Sequence, residues 1–167
     1  MSHHTAVTRQ GSMEARLKNP ATMLPDAMKG VQYLLKATGE GGVPQTTLEL
    51  VHMRASQING CSACVEFAVK TAERSGDDLG RFVRLAAWRE SDAFTDAERA
   101  AIALAEAETR LADRPDSVSD EIWAEAARHY DEKGLAAIIL MIAVTNMFNR
   151  VNTTIREVAA TASWAAA

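Results

Sequence analysis

The chain of 167 residues contains two cysteines, and both lie in the motif Cys61-Ser62-Ala63-Cys64. The motif follows Asn59-Gly60, a helix stop signal, and opens the next predicted helix. Free N–H groups and the positive dipole end at a helix start stabilise a thiolate and lower the thiol pKa. A thiolate with a second thiol two residues away can attack a peroxide O–O bond, become a sulfenic acid and close to a disulfide. The motif therefore predicts two-electron thiol redox chemistry.

Two other interpretations of the cysteine pair stay open. Free cysteines are among the most buried residue types, so the pair could have no catalytic role. It would then brace a helix junction or sense redox state in a non-catalytic helical oligomer. A zinc site would need four ligands, which Cys61, Cys64, His52 and Glu49 could nominally supply, but the sequence has no second cysteine pair. An enzyme requires the two sulfurs to lie within bonding distance and at least one of them to be reachable by an oxidant.

Glu49 and His52 precede the cysteines at a spacing of i, i+3, which places them on one face of a helix. A carboxylate and an imidazole there could take a proton from a thiol or deliver one to a leaving alkoxide. Glu49 could instead complete a capping box with Thr46, and His52 could be an ordinary packing residue.

The elements that must position these residues are predicted to be helices. The chain has 5% aromatic residues, few glycines and prolines, and no run of alternating strand pattern. We expect an all-α bundle of six to seven helices, over residues 26–38, 45–59, 61–76, 77–89, 95–112, 119–130 and 132–160. Thr95 and Glu98 have the spacing of a second capping box. Residues 1–12 are expected to be a tag or disordered, and residues 13–167 to form one domain.

Charge and hydropathy restrict the partners. A net charge of −4 argues against nucleic acid and anionic lipid. The longest apolar stretch, 135–148, is too short to span a membrane, and no secretory signal is evident, so we expect a cytoplasmic protein. The last predicted helix is apolar nearly all round, and Met23, Leu24 and Met28 add apolar surface, which predicts a homo-oligomer.

The stretch LELVHMRASQINGCSAC, residues 48–64, resembles the alkylhydroperoxidase AhpD and carboxymuconolactone decarboxylase-like family. The resemblance continues through 87–90, 94–101 and 146–152. It implies an AhpD-like all-helical fold, a dimer, trimer or hexamer, and peroxidase or disulfide-reductase activity at the Cys-x-x-Cys motif without metal or organic cofactor. The substrates implied are a small hydroperoxide and an external dithiol or thiol reductant. The lactone decarboxylases of this family do not rely on a Cys-x-x-Cys motif, so the dithiol speaks against that reaction.

The resemblance also assigns roles to residues. Peroxidase members carry a glutamate twelve residues before the first cysteine, the position of Glu49. They carry a histidine four residues after the second cysteine, where this chain has Ala68, so the usual proton relay is incomplete. His52 is the candidate replacement. The family pattern makes Cys64 the attacking thiol and Cys61 the resolving one, whereas the helix-start argument favours a thiolate at Cys61, and the order of attack stays open.

Overall fold

The computed structural model describes residues 13–159, and within this part every regular element is helical. The α-helices are α1 (Pro20–Met23), α2 (Pro25–Thr38), α3 (Gln45–Asn59), α4 (Ser62–Ser75), α5 (Leu79–Arg84), α6 (Asp96–Thr109), α7 (Asp120–His129) and α8 (Glu132–Ile155). Two 3₁₀-helices cover Gly39–Gly41 and Leu85–Glu90. The all-α prediction is confirmed. The expectation for residues 1–12 concerns positions outside the described residues.

The predicted helix over 77–89 divides into α5 and a 3₁₀-helix, with non-helical backbone at Ala87 (φ −125°, ψ 41°). This change of direction lets the indole of Trp88 donate a hydrogen bond to the buried carboxylate of Glu106 (3.0 Å). Glu106 also accepts hydrogen bonds from Arg54 and Arg89. Burial acts to raise the pKa of Glu106, but these hydrogen bonds together lower it below its ordinary value.

The last helix ends at Ile155, earlier than predicted, because Arg156 takes left-handed backbone angles (φ 55°, ψ 48°). The Glu157 N–H then bonds the Asn152 carbonyl at 2.8 Å, which closes the helix end. The α6 helix likewise stops at Thr109 rather than near residue 112. Its predicted capping box is confirmed, since Thr95 and Glu98 exchange both hydrogen bonds.

The centre of the bundle is α3, which packs against α4, α6 and α8. One apolar cluster joins Leu48 and Val51 of α3 to α6 and α8. A second joins Leu50 and Met53 to α4, α5 and the Leu85–Glu90 segment. Because both sides of α3 are covered, the residues that it carries toward the cysteines are held by core packing on each side.

The α8 helix is long and apolar enough, by length and composition alone, to cross a membrane, with a mean hydropathy of 1.6 over its most apolar window. However, 56% of that window is buried inside the structure. Its buried residues include Ile138 and Ile142, which pack in the cluster around Leu48. In this fold α8 is therefore a core helix of the bundle.

Candidate active site

The two cysteines lie at the junction of α3 and α4. Gly60 ends α3 in the left-handed conformation (φ 67°, ψ 29°), which explains the Asn-Gly signal in the sequence. Cys61 is the N-cap of α4, and its sulfur accepts a hydrogen bond from the Cys64 N–H at 3.3 Å. The predicted helix start is confirmed, and it places a cysteine sulfur where backbone donors converge.

Cys61 and Cys64 are joined by a disulfide, with their Cα atoms 5.3 Å apart. Both side chains are buried, each only 1% exposed. They nevertheless face different openings. Cys64 lines a cavity of about 340 Å³, and Cys61 lines a groove of about 640 Å³ that shares no lining residue with that cavity. The geometry therefore meets both requirements for redox chemistry: the two sulfurs are within bonding distance, and each cysteine lines an opening.

The Cys64 cavity lies between α2, α3, α4 and α8. Most of its wall is apolar, from residues that include Val31, Leu48, Phe67, Met141 and Val144. Polar groups reach it from Glu49, His52 and Thr145. The cavity thus combines an apolar wall with a few convergent polar groups, which is the usual character of a small-molecule site.

Glu49 is a buried carboxyl group in this cavity, 7% exposed. Burial raises its pKa, the hydrogen bond from the Gln45 amide (3.3 Å) partly opposes that shift, and the negative charge of Asp77 adds to it. Its Oε2 atom is buried without a hydrogen-bond partner among the described residues. A carboxyl group with a raised pKa retains its proton to higher pH and can deliver it to a reacting oxygen.

The alternative role of Glu49 in a capping box with Thr46 is wrong. Pro44 is the N-cap of α3, and no side chain caps that helix end. Since Pro44 rather than Thr46 occupies the boundary, Thr46 and Glu49 lie inside the helix, and Glu49 is left facing the cavity.

His52 lines the same cavity and packs edge-on against Phe67, with the ring centroids 5.9 Å apart. Desolvation lowers the pKa of His52 to about 4. The imidazole is therefore neutral at physiological pH, and it can donate or accept a hydrogen bond but does not supply a positive charge to a thiolate. Ala68, at the position of the family histidine, also lines the cavity and brings no titratable group.

Asn152 is the site residue that sequence reasoning missed. Its amide nitrogen lies 3.3 Å from the Cys64 sulfur and 3.8 Å from the Cys61 sulfur. Its side-chain oxygen accepts a hydrogen bond from Asn19 at 2.9 Å, which orients the amide nitrogen toward the sulfurs. Asparagine recurs at positions 146, 149 and 152 of the sequence, a spacing typical of interhelical or intersubunit hydrogen bonding, but this pattern gives no indication of a sulfur partner.

The other two asparagines of that series fit the interhelical interpretation. Asn59 donates to the side-chain oxygens of both Asn146 (2.9 Å) and Asn149 (2.8 Å), and Asn149 donates to Ser56. Thr145, beside them on α8, was also missed: its hydroxyl lines the Cys64 cavity and is buried without a partner among residues 13–159. A polar ligand in the cavity could satisfy this hydroxyl and Glu49 Oε2.

Within the described part of the chain, no group of three or more His, Cys, Asp or Glu side chains is placed to hold a metal ion. Cys61 and Cys64 bond to each other, so their sulfurs are not arranged as ligands for the zinc alternative. The chemistry that these residues can perform on their own is proton transfer and thiol–disulfide exchange.

Comparison with known proteins identifies the family of this chain. The carboxymuconolactone decarboxylase family model matches residues 25–107. The Bacillus subtilis (strain 168) protein YdfG is 33% identical over 128 residues, which is 77% of this chain and 86% of YdfG. The Escherichia coli (strain K12) protein YnjA is 34% identical over 104 residues, 62% of this chain and 55% of YnjA.

Two solved structures share the fold. One is a protein from Agrobacterium tumefaciens that has been proposed to be the antioxidant defence protein AhpD (TM-score 0.78, 28% identity, covering 87% of this chain and 97% of that one). The other is the debrominase Bmp8, solved in complex with 2,3,4-tribromopyrrole (TM-score 0.70, 25% identity, 81% of this chain and 71% of that one).

The helical bundle and its Cys-x-x-Cys disulfide define an AhpD-like protein. The chain belongs to the carboxymuconolactone decarboxylase family. The resemblance predicted from residues 48–64 is confirmed. Asn152 and Thr145 lie on α8, outside the residues that the family model matches.

Proposed function

We propose that this protein is a dithiol-dependent peroxidase that reduces small, largely apolar organic hydroperoxides, with Cys64 as the attacking thiol. The observation that carries the proposal is that Cys64, and not Cys61, lines the apolar cavity that also contains Glu49 and His52. The cavity volume of about 340 Å³ corresponds to roughly ten water molecules at ~30 Å³ each, enough for a branched or aromatic hydroperoxide.

The proposed reaction runs in three balanced steps. The Cys64 thiolate attacks the terminal oxygen of ROOH, the O–O bond breaks, and Glu49 gives its proton to the departing alkoxide, which yields a Cys64 sulfenic acid and ROH. The Cys61 thiol then attacks the Cys64 sulfur, which forms the disulfide and releases water. An external dithiol reduces the disulfide and is itself oxidised, and Glu49 regains a proton from solvent.

The test is repeated turnover. Cumene hydroperoxide with excess dithiothreitol should be consumed over many cycles per subunit, and Cys64→Ser should abolish consumption. Cys61→Ser, treated with cumene hydroperoxide in the absence of dithiothreitol, should stop after one oxidation, with a sulfenic acid that dimedone traps on Cys64. Consumption limited to one equivalent in the wild-type protein would instead support a redox sensor or a structural disulfide. If both variants lose hydroperoxide consumption equally and dimedone labels Cys61, then Cys61 is the attacking thiol and the proposed order is reversed.

The role of His52 is tested separately. If the neutral imidazole replaces the histidine that is absent at Ala68, His52→Ala should lower kcat/KM for cumene hydroperoxide by about tenfold or more. Wild-type turnover in His52→Ala would reject this replacement. In that case Ala68→His is the informative variant, because a gain in peroxide consumption would show that the missing relay limits the rate.

A second candidate function follows from the likeness to the debrominase Bmp8 and from the apolar wall of the Cys64 cavity. Reductive debromination would convert an aryl bromide and the Cys61–Cys64 dithiol into the arene, the disulfide and HBr. The same assay with 2,3,4-tribromopyrrole in place of the hydroperoxide, read as bromide release, distinguishes the two substrates.

A further inference from the structure

We infer that the groove lined by Cys61 is the entry site for the dithiol reductant, whose first thiol attacks the Cys61 sulfur. The inference rests on the proposed use of the disulfide in turnover, and it assigns the reductive half-reaction to a different opening from the oxidative one.

The groove and the Cys64 cavity share no lining residue. Its lining includes Gly60, Cys61, Ser62, Asn152, Thr153 and Arg156, and Cys61 is the cysteine that it exposes to an entering thiol. The Cys64 cavity, in turn, contains Cys64 and not Cys61. Thiol–disulfide exchange requires the attacking thiolate to reach one particular sulfur and displace the other. A thiol that enters through the groove therefore meets Cys61 first and displaces Cys64.

The contacts around the two sulfurs suit this direction. When the reductant thiolate bonds to Cys61, the Cys61–Cys64 bond breaks and Cys64 leaves as a thiolate. The amide nitrogen of Asn152 lies closer to the Cys64 sulfur (3.3 Å) than to the Cys61 sulfur (3.8 Å), so it stabilises that leaving group. The thiolate is then released on the cavity side, where the hydroperoxide is proposed to bind.

The second exchange uses the helix start. The second thiol of the reductant then attacks the reductant sulfur that is bonded to Cys61. This attack closes the disulfide of the oxidised reductant and frees Cys61 as a thiolate. The Cys61 sulfur already accepts the N–H of Cys64 as the N-cap of α4, a position that stabilises negative charge. The overall change is the oxidation of one dithiol to its disulfide and the reduction of the Cys61–Cys64 bond.

The test measures reduction alone, without hydroperoxide, as the appearance of free thiols in the oxidised protein after addition of dithiothreitol. Thr153→Trp places a large side chain in the groove, and Thr154→Trp is the matched control, because Thr154 is exposed on the same helix but is not part of the groove lining. We expect Thr153→Trp to slow reduction by about tenfold and Thr154→Trp to change it by less than about twofold. Equal rates in the two variants would overturn the inference.

Gln32→Trp provides the converse test, since Gln32 is exposed on α2 and lines the Cys64 cavity. It should leave reduction unchanged, and slower reduction in Gln32→Trp than in Thr153→Trp would show that the reductant uses the cavity. A protein that fails to consume hydroperoxide still gives a clear result, because no oxidant is present.

Discussion

At the scale of single residues, Glu49 combines a cost in stability with a proposed gain in chemistry. Its raised pKa means that the folded protein holds a proton that the unfolded chain releases above about pH 4.5. The stability of the fold therefore decreases as the pH rises from the unfolded value through the raised folded value. A buried carboxyl group with a raised pKa is found at functional sites more often than in a purely structural core.

We predict that Glu49→Gln lowers kcat/KM for cumene hydroperoxide by about 10²-fold, because an amide cannot donate the proton that the alkoxide needs. In the wild-type protein, the same rate should fall as the pH rises through the raised pKa of Glu49, and this limb should be absent in Glu49→Gln. The variant should also unfold at a higher temperature at pH 8, because the cost of ionising the buried group is removed. Full activity in Glu49→Gln would exclude Glu49 as the proton donor.

Asn152 contacts the Cys64 sulfur through a hydrogen bond, so replacing it should change the pKa of the Cys64 thiol. We predict that Asn152→Leu raises the pKa of the Cys64 thiol, because the thiolate loses the hydrogen bond from the Asn152 amide, and a hydrogen bond to a charged group contributes about 1.5–3 kcal/mol. The measurement is thiolate absorbance at 240 nm against pH in a Cys61→Ser background. Asn149→Leu is the control, because Asn149 is buried on the same helix and bonds Ser56 and Asn59. Equal shifts in both variants would indicate a general packing effect.

At the scale of elements, the α3–α4 junction depends on one backbone conformation. Gly60 has a φ of 67°, and a Cβ atom there would meet no neighbouring atom within 4 Å, so a side chain at this position costs conformational energy and creates no clash. We predict that Gly60→Ala destabilises the fold by about 1–2 kcal/mol. The measurement is urea unfolding at pH 7.

Gly30→Ala is the matched control for that prediction. Gly30 lies exposed within α2, where an added Cβ atom would likewise meet no neighbour within 4 Å, and it has ordinary helical angles. Alanine is the better helix former, so Gly30→Ala should stabilise the protein by about 0.5–1 kcal/mol. The change in the free energy of unfolding should therefore be a decrease for Gly60→Ala and an increase for Gly30→Ala. An increase in both variants would mean that the junction tolerates an alanine.

Most elements of this fold could be predicted from the sequence because their ends carry local signals. Gly60 and Gly76 stop α3 and α4, and Thr95 and Ser119 cap α6 and α7. The break after Arg84 could not be predicted in this way, because it depends on a hydrogen bond between Trp88 and Glu106, which are 18 positions apart in sequence. Local patterns determine helix ends, whereas tertiary contacts determine where a helix changes direction.

The same distinction applies to the site. Glu49, His52 and Cys64 could be proposed because they follow one another on two consecutive helices, and the structure brings all three to one cavity. Asn152 and Asn19 could not be proposed, because their contacts link residues far apart in sequence. Asn152 on α8 contacts the Cys64 sulfur 88 positions away, and Asn19 before α1 contacts Asn152 133 positions away. A sequence pattern over one helix has no information on contacts at that distance.

At the scale of the whole molecule, apolar side chains remain uncovered along α1 and α2. Met23, Leu24, Leu34 and Leu35 are between 40% and 61% exposed, and together we call them the α2 face. Met28, which was predicted to form one apolar surface with Met23 and Leu24, lines the Cys64 cavity. Leu35 belongs both to the α2 face and to the cavity wall, so a partner on this face would lie beside the cavity.

We predict that the α2 face is buried between copies of this chain. Light scattering coupled to gel filtration should then give a mass that is a multiple of 18.1 kDa, and Leu24→Asp with Leu34→Asp should shift it toward the monomer, because each subunit would bring two charges that must be desolvated in the interface. Val83→Asp is the control, since Val83 is 75% exposed on α5 and lies outside the α2 face. Because a partner would lie beside Leu35, the double variant should also raise KM for cumene hydroperoxide while leaving dithiothreitol reduction unchanged. A monomeric wild-type protein, or a double variant that keeps its mass, would contradict this interface.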